Sequence, residues 1–328
     1  MKIFLTGGTG FIGKNLARTL LSRGVELRLL ARPRSNTLGL EGCTFIQGDL
    51  DDLDSLRFGM EGCDGVFHAA ALVKNWVPDS AEYYRTNVQG LKNVLEAARQ
   101  CAVPKIVYTS SFMALGPTDG TIADEQTERP AVAFHNEYER SKTQANLLAS
   151  QYQQSGLPLV CLYPTIVYGP GELTEGNWLG HNLRRLRKMP ILFLVGPGTQ
   201  NWNYVHVDDV VEGHISAMER AAPGSRYILG GENRTTRELF ELTARLLGRR
   251  PPKLKVPFAL ARAGARVVEA YSIWNKRSPW LNPALIDISR HDWAYSSAAA
   301  ERDLGYSHRR LEPGLDDTVA WMKGANLL

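Results

Sequence analysis

Short apolar runs alternate with longer segments of helical period along the first half of the chain. The runs at 2–6, 25–31, 43–46, 65–69 and 105–110 have the length of buried strands. Between and after them, residues 11–23, 52–60, 80–101 and 138–155 repeat apolar positions every three or four residues, which predicts helices. A sixth apolar run covers 159–167. Strands separated by helices predict an α/β fold with a parallel, doubly wound sheet and right-handed crossovers. Beyond Gly169 the rhythm changes. Loops rich in Pro and Gly lead to a helix near 179–188, a short strand at 204–207, a helix from Asp208, a strand at 226–229 and a helix near 235–247. A Trp-rich stretch then runs to 295. This reads as a smaller α/β substrate domain interleaved with the last sheet strands. Residues 1–168, with 203–230 returning to them, form the doubly wound domain, and 169–202 with 231–328 form the smaller one.

The junction of the first strand and first helix carries the first chemistry. Thr6-Gly-Gly-Thr-Gly-Phe-Ile-Gly13 puts Gly7, Gly10 and Gly13 where a strand turns into a helix. Glycines let the backbone turn tightly and approach a ligand, and the helix N-terminus aims free N–H groups at an anion. Strand before, helix after and a second strand on schedule make this a pyrophosphate-binding turn.

Tyr138 and Lys142 form Y-x-x-x-K, and i, i+4 residues share a helix face. A lysine ammonium there can depress a tyrosine pKa, and a phenol so tuned exchanges a proton with a carbonyl or alcohol oxygen. Alone the pair reads equally as an exposed helix pair. The order along the chain changes that, because Thr109-Ser110-Ser111 ends a strand, and ligands of such folds lie at strand C-terminal ends. A serine hydroxyl there can align the reacting oxygen.

Composition narrows the classes. At 328 residues and 44% apolar content there is ample material for one large or two joined domains. A net charge of +4 gives no nucleic-acid signature, and the basic runs at Arg184, Arg185, Arg187, Lys188 and at Arg249, Arg250 read as solvated surface. Four scattered cysteines and seven scattered histidines give neither a disulfide framework nor metal-ligand spacing. The cysteines fit a reducing cytosol, and a first strand at residue 2 leaves no room for a signal peptide, so a cytoplasmic location is expected. Residues 256–274 are mostly apolar, but Arg262, Arg266 and Glu269 interrupt them, so no membrane span is expected. The segment reads as a weakly associating interfacial helix or as a helix whose apolar face covers a substrate pocket.

The chain resembles the extended branch of the short-chain dehydrogenase/reductase superfamily along its whole length. The marks are the glycine turn, Gly48-Asp49-Leu50, His68-Ala-Ala-Ala71, Asn87-Val-Gln-Gly90, Tyr108-Thr-Ser-Ser111, Tyr138-x-x-x-Lys142, Tyr163-Pro-Thr-Ile-Val-Tyr-Gly-Pro170, His206-Val-Asp-Asp209 and Leu304-Gly-Tyr306. The resemblance implies a Rossmann sheet, Ser111, Tyr138 and Lys142 as catalytic residues, and a homodimer formed through the helices near 80–101 and 138–155. It further implies cofactor contacts from Gly7, Thr9, Gly10, Phe11, Ile12, Gly13, Arg32, Asp49, Leu50, Ala69, Ala70, Ala71, Thr109, Pro164, Thr165 and Val167, besides Tyr138 and Lys142. Asn87 is implied to tie its helix to a neighbouring strand.

Within the branch the chain is most similar to the dihydroflavonol-4-reductase-like group, and there to plant farnesol dehydrogenase and its bacterial relatives, some of them named sugar epimerases. Sugar dehydratases carry Asp-Glu where Phe112-Met113 stand here. Nucleotide-sugar enzymes commonly carry Arg-Asp where Trp202-Asn203 stand, which exchanges a bidentate diphosphate clamp for an indole. Val73, Phe112, Met113, Trp178 and Trp202 are candidate substrate contacts. Trp76, Trp274 and Trp280 are further candidate walls of an apolar pocket, and ordinary core or lid packing is the other reading of all these aromatics. The expected activity is NAD(P)-dependent interconversion of an alcohol and a ketone or aldehyde on a small, mostly apolar molecule. The alternatives are a nucleotide- or lipid-linked sugar epimerase and a non-catalytic redox sensor, the latter disfavoured by the intact Tyr138 and Lys142. NAD enzymes usually carry an acid at the end of the second strand, whereas Arg32 and Arg34 suit a 2′-phosphate, which favours NADP. Farnesol dehydrogenases with similar arginines use NAD, so NAD stays open.

Overall fold

Ile3, Phe4 and Leu5 of the first strand have no exposed surface, as a strand covered on both faces requires. The computed structural model of the chain describes residues 1–189 and 191–328. Its strands are β1 (Lys2–Thr6), β2 (Glu26–Ala31), β3 (Thr44–Gln47), β4 (Gly65–His68), β5 (Ile106–Thr109), β6 (Leu159–Pro164), β7 (Ile166–Tyr168), β8 (Phe193–Val195), β9 (Asn201–His206), β10 (Arg226–Leu229), β11 (Glu232–Thr235) and β12 (Leu254–Val256). The helices are α1 (Phe11–Ser22), α2 (Leu53–Met60), α3 (Ala81–Tyr84), α4 (Gly90–Gln100), α5 (Glu137–Gln154), α6 (Trp178–Lys188), α7 (Val207–Arg220), α8 (Thr236–Leu246), α9 (Phe258–Trp274), α10 (Pro283–Ile288), α11 (Ala298–Leu304) and α12 (Leu311–Gly324).

Seven strands form one all-parallel sheet in the order β10-β6-β5-β4-β1-β2-β3. Strand alternation sorts the core into two layers. Phe4, Val66, Ile106 and Leu159 face Leu56, Val94 and Ala145 of α2, α4 and α5. Ile3, Leu5, Phe67 and Val160 face Leu16, Val211 and Leu304 of α1, α7 and α11. This is the doubly wound Rossmann sheet expected from the sequence. The winding reverses between β1 and β4, which opens a ligand crevice at their C-terminal ends. There Thr6 pairs with His68 in register, and the Thr6 hydroxyl meets His68 Nδ1 at 2.7 Å.

Several elements differ from expectation. The run 159–167 is two strands, because the Thr165 N–H donates to Leu229 O while its hydroxyl turns to Asn203 (2.8 Å). After that break β7 leaves the large sheet and joins β9 and β11 in a three-stranded one. Of 203–230, β10 takes the edge of the large sheet beside β6, and β9 pairs with β7 and β11. The helix read over 80–101 is interrupted by a π turn, Arg85–Gln89, that contains Asn87. A small β8–β12 pair precedes α9. That helix buries only Ala265 and Ser272, so its apolar face covers no pocket, and Trp274 and Trp280 are exposed rather than pocket walls. Its inward side is held instead by Arg262, which grips Asp287 of α10 at 2.9 and 3.0 Å.

Candidate active site

Gly7 takes φ +77° at the end of β1, and a Cβ there would run into the backbone of Ala69 and Ala70 at the end of β4. A Cβ on Gly13 would strike the Gly7 carbonyl. The glycines therefore let helix, turn and neighbouring strand meet at van der Waals distance. α1 begins at Gly10 with no side-chain cap and no acidic residue in its first turn. The leading N–H groups at Phe11, Ile12 and Gly13 thus lack intrahelical acceptors and point out beside Thr9, as anion binding needs.

Past β2 lies the place where the resemblance puts the adenosine. A cleft of about 600 Å³ is lined by Arg32, Pro33, Gln47, Gly48, Asp49 and Asp52. The Asp49 carboxylate accepts the Leu50 N–H at 2.6 Å, and Asn93 of α4 donates to the Leu50 carbonyl at 2.8 Å, which fixes that turn. On the other side of the crevice Ala69, Ala70 and Ala71 are partly exposed. Asn87 in the π turn both accepts from and donates to the Leu72 backbone (2.8 and 3.2 Å) and donates to Ser141 Oγ of α5 at 2.9 Å. It ties its helix to the loop after β4, four residues beyond the strand that the resemblance implied. A glycine cradle, an uncapped helix end and a cleft with an arginine at its rim fit a dinucleotide.

The three residues implied to be catalytic lie together where β5 ends. Ser111 opens a 3₁₀ turn, Phe112–Ala114, and its hydroxyl lies beside the Tyr138 phenol. Lys142, one turn further along α5, is fully buried and donates to Thr109 O at 3.3 Å. The Thr109 hydroxyl is itself held by His214 of α7 at 2.9 Å. Burial dominates the electrostatics. Loss of water pushes the Tyr138 phenol up to about 12, partly offset by the Ser111 hydroxyl, and pushes the Lys142 ammonium down to about 7. The phenol stands above its ordinary range, not below it as expected from a neighbouring ammonium, because desolvation outweighs the Ser111 hydroxyl, the group that lowers it. Nearby His68 is driven down to about 3 by burial and by the charge of Lys142, so it is neutral. Tyr108 Oη and Ser110 Oγ are buried here without hydrogen-bond partners among the described residues.

The sequence reading missed what sets α5 in place. Glu139, directly after Tyr138 and fully buried, binds Arg129 at 2.5 Å, the His135 N–H at 2.8 Å and His135 Nδ1 at 2.9 Å. Those bonds hold its carboxyl below the ordinary range against the burial that raises it. The i, i+4 spacing of His135 and Glu139 was a visible signal; Arg129, ten residues away across a loop, was not. A second cleft of about 660 Å³ adjoins this loop, bordered by Phe134, His135, Arg290 and His291; none of Ser111, Tyr138 and Lys142 lines it.

The candidate substrate contacts scatter. Phe112 and Met113 are buried, and the Phe112 ring stands edge-on to Trp293 and Tyr295. Trp202 is half-buried against Trp293, 5.8 Å between rings, while Val73 and Trp178 are exposed. Asn203 is a structural hub, donating to Gly231 O, Asn233 Oδ1 and Tyr295 O and accepting from Thr165 and Gly231. At the junction of β6 and β7, Pro164, Thr165 and Val167 are all buried.

With this geometry the chain matches the NAD dependent epimerase/dehydratase family over residues 3–230. It belongs to that family. It is an enzyme of the extended short-chain dehydrogenase/reductase type, in a family that is NAD(P)-dependent. A Synechocystis sp. protein provisionally named a dihydroflavonol 4-reductase is 34% identical, with 98% of this chain and 94% of that one aligned. The 4-hydroxy-2-methyl-3-oxo-4-farnesyl-3,4-dihydroquinoline-1-oxide ketoreductase of Stigmatella aurantiaca is 31% identical over 96% of this chain and 95% of its own. The crystal structure of gox2253 superposes with a TM-score of 0.82, at 32% identity and 99% coverage of both chains. Among the described residues no helix is long and apolar enough to cross a membrane.

Proposed function

We propose that this chain reduces a carbonyl group on a small, mostly apolar molecule, and catalyses the reverse alcohol oxidation, with Ser111, Tyr138 and Lys142 as its catalytic residues. The observation that carries the reading is the meeting of the Ser111 hydroxyl and the Tyr138 phenol at the end of β5, one helical turn from Lys142. A dinucleotide held by the glycine turn supplies hydride transfer. Ser111 hydrogen-bonds the reacting oxygen and fixes its position. Tyr138, a neutral phenol at neutral pH, donates a proton to that oxygen during reduction and takes it back during oxidation. Lys142 bonds the cofactor ribose and favours the phenolate when the proton has left. A ketoreductase of a farnesylated ring among the relatives supports an apolar substrate. So does an indole, Trp202, where sugar-nucleotide enzymes hold their phosphate clamp. Nicotinamide absorbance tests the reading directly. Stoichiometric cofactor turnover with prenyl, aromatic or steroid-like alcohols and ketones supports it. Turnover of a nucleotide sugar with no net redox overturns it in favour of an epimerase.

The preferred cofactor in this reading is NADP, with Arg32 exposed at the rim of the adenosine cleft, where a 2′-phosphate would lie, and Arg34 exposed two residues further on. A charge-assisted hydrogen bond contributes about 1.5–3 kcal/mol, so Arg32→Glu should weaken NADP binding by at least about tenfold and leave NAD nearly unchanged. Fluorescence titration of both dinucleotides measures this, and equal losses for both would refute the assignment. The dimer implied by the resemblance would pair α4 and α5 faces, where Leu147 is exposed. Light scattering should then give twice 36.4 kDa, and a monomer would refute it.

A further inference from the structure

α9 is turned the wrong way round for a helix on the surface of a water-bathed enzyme. Its charged Arg262 is used inward, on Asp287. Its outward stripe is apolar: Leu260, Val267, Tyr271 and Trp274 are 64%, 69%, 65% and 79% exposed. The spacing i, i+7, i+11, i+14 puts them in one line along the helix, with Ala263, Gly264 and Ala270 filling the gaps. A continuous apolar stripe of this kind marks a surface that something else covers.

The charges around it identify the cover. Eight of the chain's 38 Lys and Arg fall in residues 249–280, and only one of its 34 Asp and Glu does. Without this segment the chain would be net acidic. Lys253, Lys255, Arg266, Lys276 and Arg277 are exposed and have no ion-pair partner among the described residues. Tyr271 and Trp274 pair, 6.3 Å between rings, at the end of α9 that leads into Lys276 and Arg277, and aromatic rings near cations suit the boundary between headgroups and acyl chains. A second copy fits poorly. A two-fold contact through α9 would set the same unpaired cations of both protomers against each other.

We propose that α9 lies on an anionic lipid surface, its apolar stripe among the acyl chains and its flanking lysines and arginines on the headgroups. The attachment is peripheral and independent of the reaction proposed above, because none of these residues belongs to the catalytic or cofactor-binding set.

Sedimentation of the full-length protein with vesicles tests it without any substrate. Binding is expected to phosphatidylcholine vesicles containing phosphatidylglycerol, to be weak on phosphatidylcholine alone, and to fall as salt rises. The double variant Val267→Asp, Trp274→Asp should lower the partition coefficient by at least about tenfold, since two carboxylates would enter the apolar stripe. Both positions are exposed, so its melting temperature and cofactor affinity should match the parent protein. No binding to anionic vesicles at low salt, or binding that the double variant leaves intact, overturns the proposal. A variant that turns a dimer into a monomer by light scattering also overturns it, and assigns the face to a second copy.

Discussion

Tyr138→Phe should reduce turnover by a factor on the order of 10²–10⁴, the range general acid–base catalysis supplies, while cofactor affinity and melting temperature stay close to those of the parent protein. The Tyr138 ring, 6.4 Å from that of Tyr83, keeps the same packing when the oxygen is removed. The oxygen itself has one structural interaction to lose, with the Ser111 hydroxyl. Ser111 does not become an orphan, because its oxygen already accepts the Met113 N–H at 3.2 Å and caps the 3₁₀ turn. The loss should therefore fall on the rate of the chemical step. Pre-steady-state hydride transfer, followed at the nicotinamide absorbance, separates that step from binding. A variant that keeps more than about a tenth of the parent rate would remove Tyr138 from the proton transfer altogether.

The glycine turn and the parallel, doubly wound sheet could be read from the sequence because each follows from local patterns, a strand end running into a helix and strands alternating with helices. What could not be read depends on contacts across the chain. Thr165 breaks a continuous apolar run only because Asn203 and Leu229 are there to bond it. Glu139 looks like an ordinary charged position on a helix, and becomes a buried anchor only when a loop folds Arg129 onto it. α9 shows apolar periodicity whichever way it faces. Hydrophobic period gives the width of a stripe, and the partner that fixes its direction, Asp287, lies on another helix. The pKa of Tyr138 belongs to this second class, since depth of burial, not the spacing to Lys142, sets its sign.

Lys142→Met should produce an enzyme that is both nearly inactive and more stable. Burial lowers the Lys142 ammonium from its ordinary 10.5 to about 7. The unfolded chain holds that proton up to about pH 10.5, and the folded chain releases it near 7. The cost to folding is therefore absent above the unfolded pKa, grows as pH falls through the window between them, and is constant below 7. Each tenfold change in proton affinity corresponds to about 1.4 kcal/mol, so the cost at pH 7 is on the order of a few kcal/mol. Methionine has a similar length and no charge to desolvate. It gives up a charge-assisted hydrogen bond to Thr109 O, worth about 1.5–3 kcal/mol, and the ammonium's approach to the Tyr108 ring, so the balance still tips toward the variant. Urea midpoints should rise at pH 7 and rise less at pH 10, while turnover falls by orders of magnitude. A midpoint lower than that of the parent at both pH values would show that local structure, rather than function, retains Lys142. The expected outcome says the reverse: a buried lysine that destabilises its own fold is held there by the chemistry at the end of β5.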